Sequence, residues 1–400
     1  AGTPTSSSGG KGKLTPTSKT TPPQQIPTKE MLAAAAAAAA AGGLGAPTSP
    51  SFRFPDVCQP GNTLLWDLLQ DDKIGQLGES LALEAEKVLG TLLCFHTDKI
   101  IRTRFIEGCL QNLAENRSVV TSLRLLPKLF ASFQQFRDVT THQVVLWAER
   151  HHRMMHHFFN NLKHYTTSGY AVRGSGGMLY SHVTQIQVRL QFLSSVFSDV
   201  GSPRSFKLAL GQVDTLWTCL ANDPECSDCL FAWLQGQVKG GDTHALGINA
   251  IQHLYLKRLS ELKPEGISMV ALGLFQQLFM LGREDIIAHP SEGQEASDSV
   301  GMEHLWKIAL RANNTDVSLT AIQYINTYYM EKQLKYENQF VAQCMNHLTQ
   351  AVEELLRQGP GSENALMCVQ RALMLLNTHL ETFRRRYAYH LRRWALEGKE

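Results

Sequence analysis

The chain has 400 residues, of which 43% are hydrophobic and 18% charged, so it carries enough apolar surface for a sizeable folded core. That length fits either two or three compact domains or one elongated repeat array whose units pack only on their neighbours. The 38 basic and 36 acidic residues leave a net charge of +2, which excludes a global field that would attract nucleic acid or an anionic membrane.

The cysteines and the apolar runs indicate the compartment. The eight cysteines are scattered through apolar stretches, which is typical of reduced thiols in the cytosol or the nucleus. The longest apolar run, 267–281, contains Gln276 and Gln277 and is shorter than the roughly 20 residues that span a bilayer. We therefore expect a soluble protein that does not insert into a membrane. We expect it in the cytoplasm, with the nucleus as the alternative. The first and last residues, Ala1 and Glu400, suggest that both ends are cuts in a longer chain.

Residues 1–53 form the first predicted region, a disordered low-complexity tail. They are mostly Pro, Thr, Ser, Gly and Lys with few large apolar side chains, so they cannot bury enough surface to offset the entropy of ordering. The tail contains a nine-alanine tract, 33–41, which is too short to hold a stable helix with nothing to pack on.

Residues 54–400 form the second region, an α-helical scaffold whose apolar residues recur with the helical period of 3.6. In the stretch 181–200 they fall on one face, and Gly201 and Pro203 end it. A similar stripe begins at Val119 and contains Pro127, which predicts a kink. Further helices are expected at 205–221, 244–262, 266–281, 301–311, 317–332, 336–357 and 363–396.

The breaks between these helices are short, which favours helical hairpins. Asp316 is the expected N-cap of the helix 317–332, which pairs with 301–311. We find no convincing period-two alternation. The sequence therefore predicts an all-α fold in which helical hairpins stack as an irregular HEAT/armadillo-like solenoid after a disordered N-terminal tail.

Four of the six tryptophans directly follow a leucine, at Trp66, Trp147, Trp217 and Trp306. Their spacing is irregular, so they do not define a repeat of fixed period. Because buried indoles dominate core energetics, we interpret them as core residues and not as a ligand site.

Two groups have residue types that bind metals. Cys226 and Cys229 form a CxxC motif, but a structural zinc needs four ligands and no second pair follows. His151, His152, His156 and His157 are expected on one helix, where His152 and His156 would share a face, but an HExxH glutamate is missing. Helix-end cysteines and a polar or pH-responsive histidine face are the alternatives that we favour.

Glycine-rich and basic segments are weaker candidates. Gly9–Lys13 and Gly174–Gly177 lack the strand and helix of a phosphate loop. A run of arginines near the end of the last helix, with aromatic neighbours, would suit an acidic partner or nucleic acid. However, consecutive residues of a helix project in different directions, so these arginines do not share one face. We interpret it as a solvated face; its members are Arg384, Arg385, Arg386, Arg392 and Arg393.

Several runs, in one order, closely resemble the fat facets family of very large ubiquitin-specific proteases. They are Phe54–Asp67, Arg104–Leu110, Ser122–Phe130, Gln187–Leu193, Ala321–Asn326 and Thr378–Leu391. The resemblance implies that this is the N-terminal, non-catalytic helical region of a cysteine-type deubiquitinase. Its partners would then be ubiquitinated substrates or regulatory proteins, with no nucleic acid.

The same resemblance implies that no catalytic residue lies in this segment. The family's nucleophile follows Gly-Asn-Thr, and here Gly61-Asn-Thr63 is followed by Leu64, with no matching histidine box downstream. We therefore assign no catalytic, cofactor-binding or metal residue and expect no cofactor. Periodicity alone leaves open an independent HEAT/armadillo-like adaptor without an enzymatic parent.

Overall fold

The computed structural model describes residues 60–172, 179–197, 206–238, 245–288, 295–330 and 335–397. The predicted tail 1–53, with its alanine tract and Gly9–Lys13, lies outside these residues, as does Gly174–Gly177. The described ranges contain no strand, so the predicted all-α fold is confirmed.

Sixteen α-helices lie in the described part of the chain. They are α1 Pro60–Leu68, α2 Asp71–Ile74, α3 Gly78–His96, α4 Lys99–Ala114, α5 Val119–Ser132, α6 Thr141–His152, α7 Met154–Val172, α8 His182–Phe197, α9 Leu210–Leu220, α10 Ser227–Val238, α11 Ile248–His253, α12 Met269–Ala288, α13 Glu295–Arg311, α14 Thr315–Met330, α15 Lys335–Gln358 and α16 Glu363–Glu397. Every predicted helix therefore has a counterpart, and all but 244–262 are continuous, with ends that differ by a few residues. Pro127 lies inside α5 as expected.

Local side-chain chemistry sets where several helices begin. The Thr140 hydroxyl accepts from the backbone N–H of Gln143, whose side chain accepts from the N–H of Thr140, so the two form a capping box at α6. The Asp98 carboxylate accepts from the N–H of Ile101, 2.8 Å away, and caps α4 in the same manner. Each contact satisfies a backbone donor that the first helical turn leaves open.

The predicted N-cap of α14 is wrong by two residues. The Asn314 side chain, not that of Asp316, accepts from the backbone N–H groups of Asp316 (2.8 Å) and Val317 (3.3 Å). Asp316 lies instead in the first turn, where its charge favours the positive end of the helix dipole.

Ten of the sixteen described helices pack in two layers. Layer A consists of α3, α5, α8, α10, α12 and α14, each in contact with the next; layer B consists of α4, α7, α9 and α11, again in sequence. Consecutive helices also pair across the layers, as in α4 with α5, α9 with α10 and α13 with α14. Neighbour-to-neighbour contact of this kind is the packing that the predicted helical repeat requires.

The tryptophans confirm the predicted core at three of the four leucine-tryptophan pairs. Trp66, Trp217 and Trp306 are each 2% exposed. Trp147 is only partly buried and packs its ring against that of His152, with centroids 4.8 Å apart. The paired tryptophans are therefore architectural, since burial of large aromatic rings stabilises each junction between helices.

Two buried arginines cap helices other than their own. Arg102 on α4 donates to the carbonyl of Ser132 at the end of α5, 2.7 Å away. Arg371 on α16 donates to the carbonyls of Leu310 and Ala312 at the end of α13. The last carbonyls of a helix lack intrahelical donors and carry partial negative charge, so each guanidinium stabilises a neighbouring helix end.

The predicted helix 244–262 is not continuous. After α11 the chain forms a π-helical turn, Leu254–Arg258, and then a 3₁₀ turn, Leu259–Glu261. On α9, the Asp214 carboxylate bonds both His253 (2.6 Å) and Arg258 (2.7 Å). The extra residue of a π turn brings both groups to one carboxylate, and sequence periodicity does not show it.

None of the described helices is long and apolar enough to cross a bilayer.

Candidate functional site

The structure separates the four clustered histidines. Arg153 adopts the left-handed conformation, with φ 49°, and ends α6, so His151 and His152 lie on α6 while His156 and His157 lie on α7. The expected i, i+4 pair on one continuous helix is therefore wrong. A left-handed residue stops the hydrogen-bond ladder of α6, and α7 begins anew at Met154.

The surroundings of these histidines are those of a polar surface. His156 is exposed and bonds Asn160 one turn away (2.9 Å). Burial and the neighbouring His156 lower the pKa of His157, so its imidazole is mainly neutral at pH 7. Within the described residues these side chains do not bring three ligand atoms together.

The CxxC motif is divided in a similar way. Cys226 is buried in the turn before α10, whereas Cys229 is partly exposed in its first turn. The Cys226 thiol converges not on Cys229 but on His182 and Asp223, and one ligand atom from each of these three residues lies within 4.8 Å of the others. All three residues are buried.

A chain of hydrogen bonds fixes this group, which we call the His182 cluster: Tyr165, His182, Asp223 and Cys226. The Tyr165 hydroxyl lies 2.8 Å from His182 Nδ1, and His182 Nε2 lies 3.0 Å from Asp223 Oδ2. The second carboxylate oxygen, Asp223 Oδ1, accepts from the backbone N–H groups of Glu225 (2.9 Å) and Cys226 (3.0 Å). One oxygen thus closes the turn and the other faces the imidazole.

The His182 cluster joins a second buried polar group centred on Arg189 of α8. Its guanidinium donates twice to Asn161 Oδ1 on α7 (3.2 and 2.9 Å) and lies 4.4 Å from the centre of the Tyr165 ring. Asn161 in turn donates to Asn116 Oδ1 after α4. Burial lowers the pKa of Arg189 to about 10, which still leaves it charged at pH 7.

Sequence reasoning did not identify His182 or Asp223. Forty-one residues separate them, and they meet only because the start of α8 packs beside the turn between α9 and α10. The one local signal is an aspartate three residues after the end of α9, whose turn chemistry also sets the position of Cys226.

The arginine run of α16 lies at the surface where its side chains are described. Arg384, Arg385, Arg386 and Arg392 are exposed. Arg386 donates to the carbonyl of Met330 at the end of α14, and Arg385 forms a loose ion pair with Glu381 (3.7 Å). This arrangement agrees with the predicted solvated face.

Gly61, Asn62 and Thr63 lie inside α1, and Leu64 is a surface side chain, 61% exposed. Six of the described cysteines have free thiols: Cys94, Cys109, Cys219, Cys229, Cys344 and Cys368. Burial raises the pKa of Cys94, Cys109 and Cys368, and it raises that of Cys344 to about 12. These four thiols are therefore protonated and weak nucleophiles at pH 7.

A groove on the surface of layer A is lined by side chains from three helices. It has a volume of about 720 Å³ and runs between α3, α5 and α8. Leu123 and Phe192 form a buried apolar floor, and Gln191 and Ser195 form one exposed wall. We call it the α3–α5–α8 groove.

The charges of this groove surround one carboxylate. Glu86 is buried, with Oε1 3.3 Å from Lys128 Nζ and Oε2 3.5 Å from Arg124 Nη1. Burial raises the pKa of Glu86, and the two cations oppose that rise. Lys87 and Glu84 form a further pair at the rim. The groove therefore has three basic and two acidic side chains.

The comparisons with known proteins point to one group. Ubiquitin carboxyl-terminal hydrolase puf of Drosophila melanogaster is 65% identical over 366 residues, 88% of this chain but 9% of the relative. Human ubiquitin carboxyl-terminal hydrolase 34 is 50% identical over 86% of the chain and 10% of its own length. Human ubiquitin carboxyl-terminal hydrolase 9Y is 21% identical over 77% of the chain and 13% of its own length. The resemblance to large ubiquitin-specific proteases is confirmed, and the chain spans only a small part of them.

The family model described as the UBP24/USP9X/USP9Y ARM repeat matches residues 62–281. That range covers α1 to α11 and most of α12, which are the helices that form the two layers over most of their length. Since the match extends over more than half of the chain, this protein belongs to the UBP24/USP9X/USP9Y ARM repeat family.

Proposed function

We propose that this chain is the non-catalytic helical scaffold of a large cysteine-type deubiquitinase, which removes ubiquitin from protein substrates. The observation that carries the proposal is the high identity, over nearly the whole chain, to two proteins named ubiquitin carboxyl-terminal hydrolases. This identity favours a segment of a deubiquitinase over an independent HEAT/armadillo-like adaptor. The activity would belong to the whole protein, of which this chain forms a fraction.

The environment of four of the seven described thiols supports a non-catalytic role. A cysteine protease needs a thiolate that a neighbouring histidine activates, together with donors for the oxyanion. Burial of Cys94, Cys109, Cys344 and Cys368 favours the neutral thiol instead. The scaffold would then contribute binding, and the chemistry would come from another domain.

The α3–α5–α8 groove is the surface that we propose for partner binding. Its width across three helices of layer A suits a short protein segment, and its apolar floor can bury one or two side chains. Three basic groups against two acidic ones favour a segment with acidic residues. The partners would be ubiquitinated substrates or regulatory proteins, and neither nucleic acid nor a membrane is needed.

We further propose a cytoplasmic location, with the nucleus as a second one. The free thiols favour a reducing compartment, and the net charge of +2 gives no general attraction to anionic surfaces.

The groove is tested with two kinds of variant in the 400-residue chain. Glu86→Gln, Arg124→Gln and Lys128→Gln, combined, remove the charges together, so no lone buried charge remains. Ser195→Trp fills the exposed wall without changing charge. The matched control is Glu303→Gln with Lys307→Gln, which removes an exposed ion pair on α13.

Proteins that bind the wild-type chain are identified by quantitative mass spectrometry, produced in pure form and titrated against each variant. We expect both groove variants to weaken at least one such partner by about tenfold or more, which corresponds to roughly 1.4 kcal/mol, and the control to leave it unchanged. Equal affinities for wild type and both groove variants, across all purified partners, would reject the groove as the binding surface.

A further inference from the structure

We propose that His182, Asp223 and Cys226 form a buried binding site for a thiophilic divalent cation, with Zn²⁺ as the first candidate. The residue spacing along the chain predicts no metal site, so these three ligands differ from that expectation. The site is independent of the α3–α5–α8 groove and of any catalytic activity.

The donor set is the first argument. Imidazole nitrogen, carboxylate oxygen and thiolate sulfur are the three ligand types that Zn²⁺ takes in proteins, at about 2.0 to 2.3 Å from the metal. Atoms that share one tetrahedral zinc at those distances lie roughly 3 to 4 Å from one another. The three ligand atoms here lie within 4.8 Å of each other, so small side-chain rotations bring all of them to one ion.

The orientation of the ligands is the second argument. The backbone N–H groups of Glu225 and Cys226 hold Asp223 Oδ1, which leaves Oδ2 directed at His182 Nε2. On the far side of the ring, His182 Nδ1 lies 2.8 Å from the Tyr165 hydroxyl. Metal-ligating histidines usually have a hydrogen-bond partner on the second ring nitrogen, which fixes the tautomer and the ring plane. Tyr165 is therefore the positioning residue.

The thiol is the third argument. A tyrosine–histidine–aspartate chain that served only to join helices would need no sulfur, yet Cys226 converges on the same point and is 0% exposed. Because Asp223 closes the turn that contains Cys226, the same four-residue turn, 223–226, places both the carboxylate and the sulfur. The cluster thus combines a preformed turn with an imidazole from the neighbouring repeat.

The proton balance of binding follows from the ligands. Zn²⁺ replaces the proton on the Cys226 sulfur, and that proton passes to the buffer. The ring of His182 changes tautomer without net loss of a proton: the ring proton moves from Nε2, which becomes the ligand, to Nδ1, whose N–H then donates a hydrogen bond to the Tyr165 hydroxyl oxygen. Asp223 binds as the carboxylate, and a water molecule supplies the fourth ligand. One proton is released for each ion bound, provided that this water stays neutral.

The experiment uses the 400-residue chain, stripped with a chelator and then titrated with Zn²⁺ in competition with a chromophoric chelator. We expect one ion per chain, a higher melting temperature with zinc, and a thiolate-to-cobalt charge-transfer band after Co²⁺ substitution. Cys226→Ser and His182→Gln should abolish stoichiometric binding and the cobalt band. Cys219→Ser, Cys229→Ser and His156→Gln are controls outside the cluster and should leave both unchanged.

Tyr165→Phe keeps all three ligands and guards against a variant that fails to fold. We expect the far-ultraviolet circular dichroism spectrum of this variant to match that of the wild type. Its zinc affinity should fall by about 10- to 100-fold. Failure of the wild-type chain to take up zinc or cobalt overturns the site, as does stoichiometric zinc in Cys226→Ser. Loss of zinc in His156→Gln with retention in His182→Gln would assign the ion to the surface histidines instead.

Discussion

Replacement of Trp306 by alanine tests the packing at the junction of α13 with α15. The indole is 2% exposed; its centroid lies 4.5 Å from the ring of His347 and 5.8 Å from that of Phe340, both on α15. Phe340 in turn stacks on Tyr329 of α14, 4.4 Å away. Removal of the indole therefore leaves a void where three helices meet.

The size of the effect follows from the buried area. A buried aromatic side chain removes roughly 150 to 250 Å² from water, which at about 25 cal/mol per Å² is worth roughly 4 to 6 kcal/mol. Alanine retains part of that area, and measured truncations of buried Phe or Trp cost about 3 to 5 kcal/mol. We expect Trp306→Ala to lower the free energy of unfolding by that amount.

The assay is urea unfolding monitored by circular dichroism, with hydrogen exchange to locate the loss in α13 to α15. Trp147→Ala is the matched control, since that indole is only partly buried and should cost about 1 kcal/mol. Equal unfolding midpoints for Trp306→Ala and wild type would refute the packing argument. Trp306 would then be a candidate partner-binding residue.

Three other predictions test packing, pH dependence and chemistry. Gly301→Ala should destabilise by about 1 to 3 kcal/mol, because a Cβ there would overlap the Tyr255 hydroxyl and lie 2.9 Å from a Phe279 ring carbon; Gly236→Ala, with open space, should be neutral or stabilising in thermal melts. Burial lowers the pKa of His304 to about 4, so between pH 6.5 and 4 the unfolded chain binds a proton that the folded chain does not. The free energy of unfolding should therefore fall by up to roughly 3 kcal/mol as the pH is lowered through that window. His304→Phe should remove this contribution when unfolding is measured as a function of pH. A ubiquitin with a C-terminal electrophile should label no cysteine of the chain, and a fluorogenic ubiquitin substrate should not turn over. Labelling of one cysteine, with turnover lost on its change to alanine, would make the segment an enzyme.

The helices were predictable because each has a 3.6-residue apolar stripe bounded by short breaks. That periodicity is a local property, as at Val119–Ser132, and burial of the stripe follows from it. The backbone conformation of individual residues could not be predicted from this periodicity. The left-handed Arg153 divides a helical pattern that looks continuous, and the π turn at Leu254–Arg258 depends on a carboxylate on another helix.

The two candidate sites depend on packing between helices that are distant in sequence. The α3–α5–α8 groove uses three helices, and Glu86 meets Lys128 across 42 residues. The CxxC motif pairs Cys226 with Cys229 in the sequence, whereas the structure places Cys226 with His182 and Asp223. Sequence spacing identifies ligands on one helix or turn, but it does not identify those that neighbouring repeats contribute.

The buried polar chain around Arg189 has a consequence for how this array opens. In a simple helical repeat array each unit opens almost independently, coupled only to its nearest neighbours, so its amide protons exchange with their own opening free energy. Here hydrogen bonds and one cation–π contact run from Asn116 through Asn161, Arg189, Tyr165 and His182 to Asp223. Opening one unit would expose broken polar contacts in the next, so amide protons from α4 to α10 should exchange with a common opening free energy, as one cooperative block.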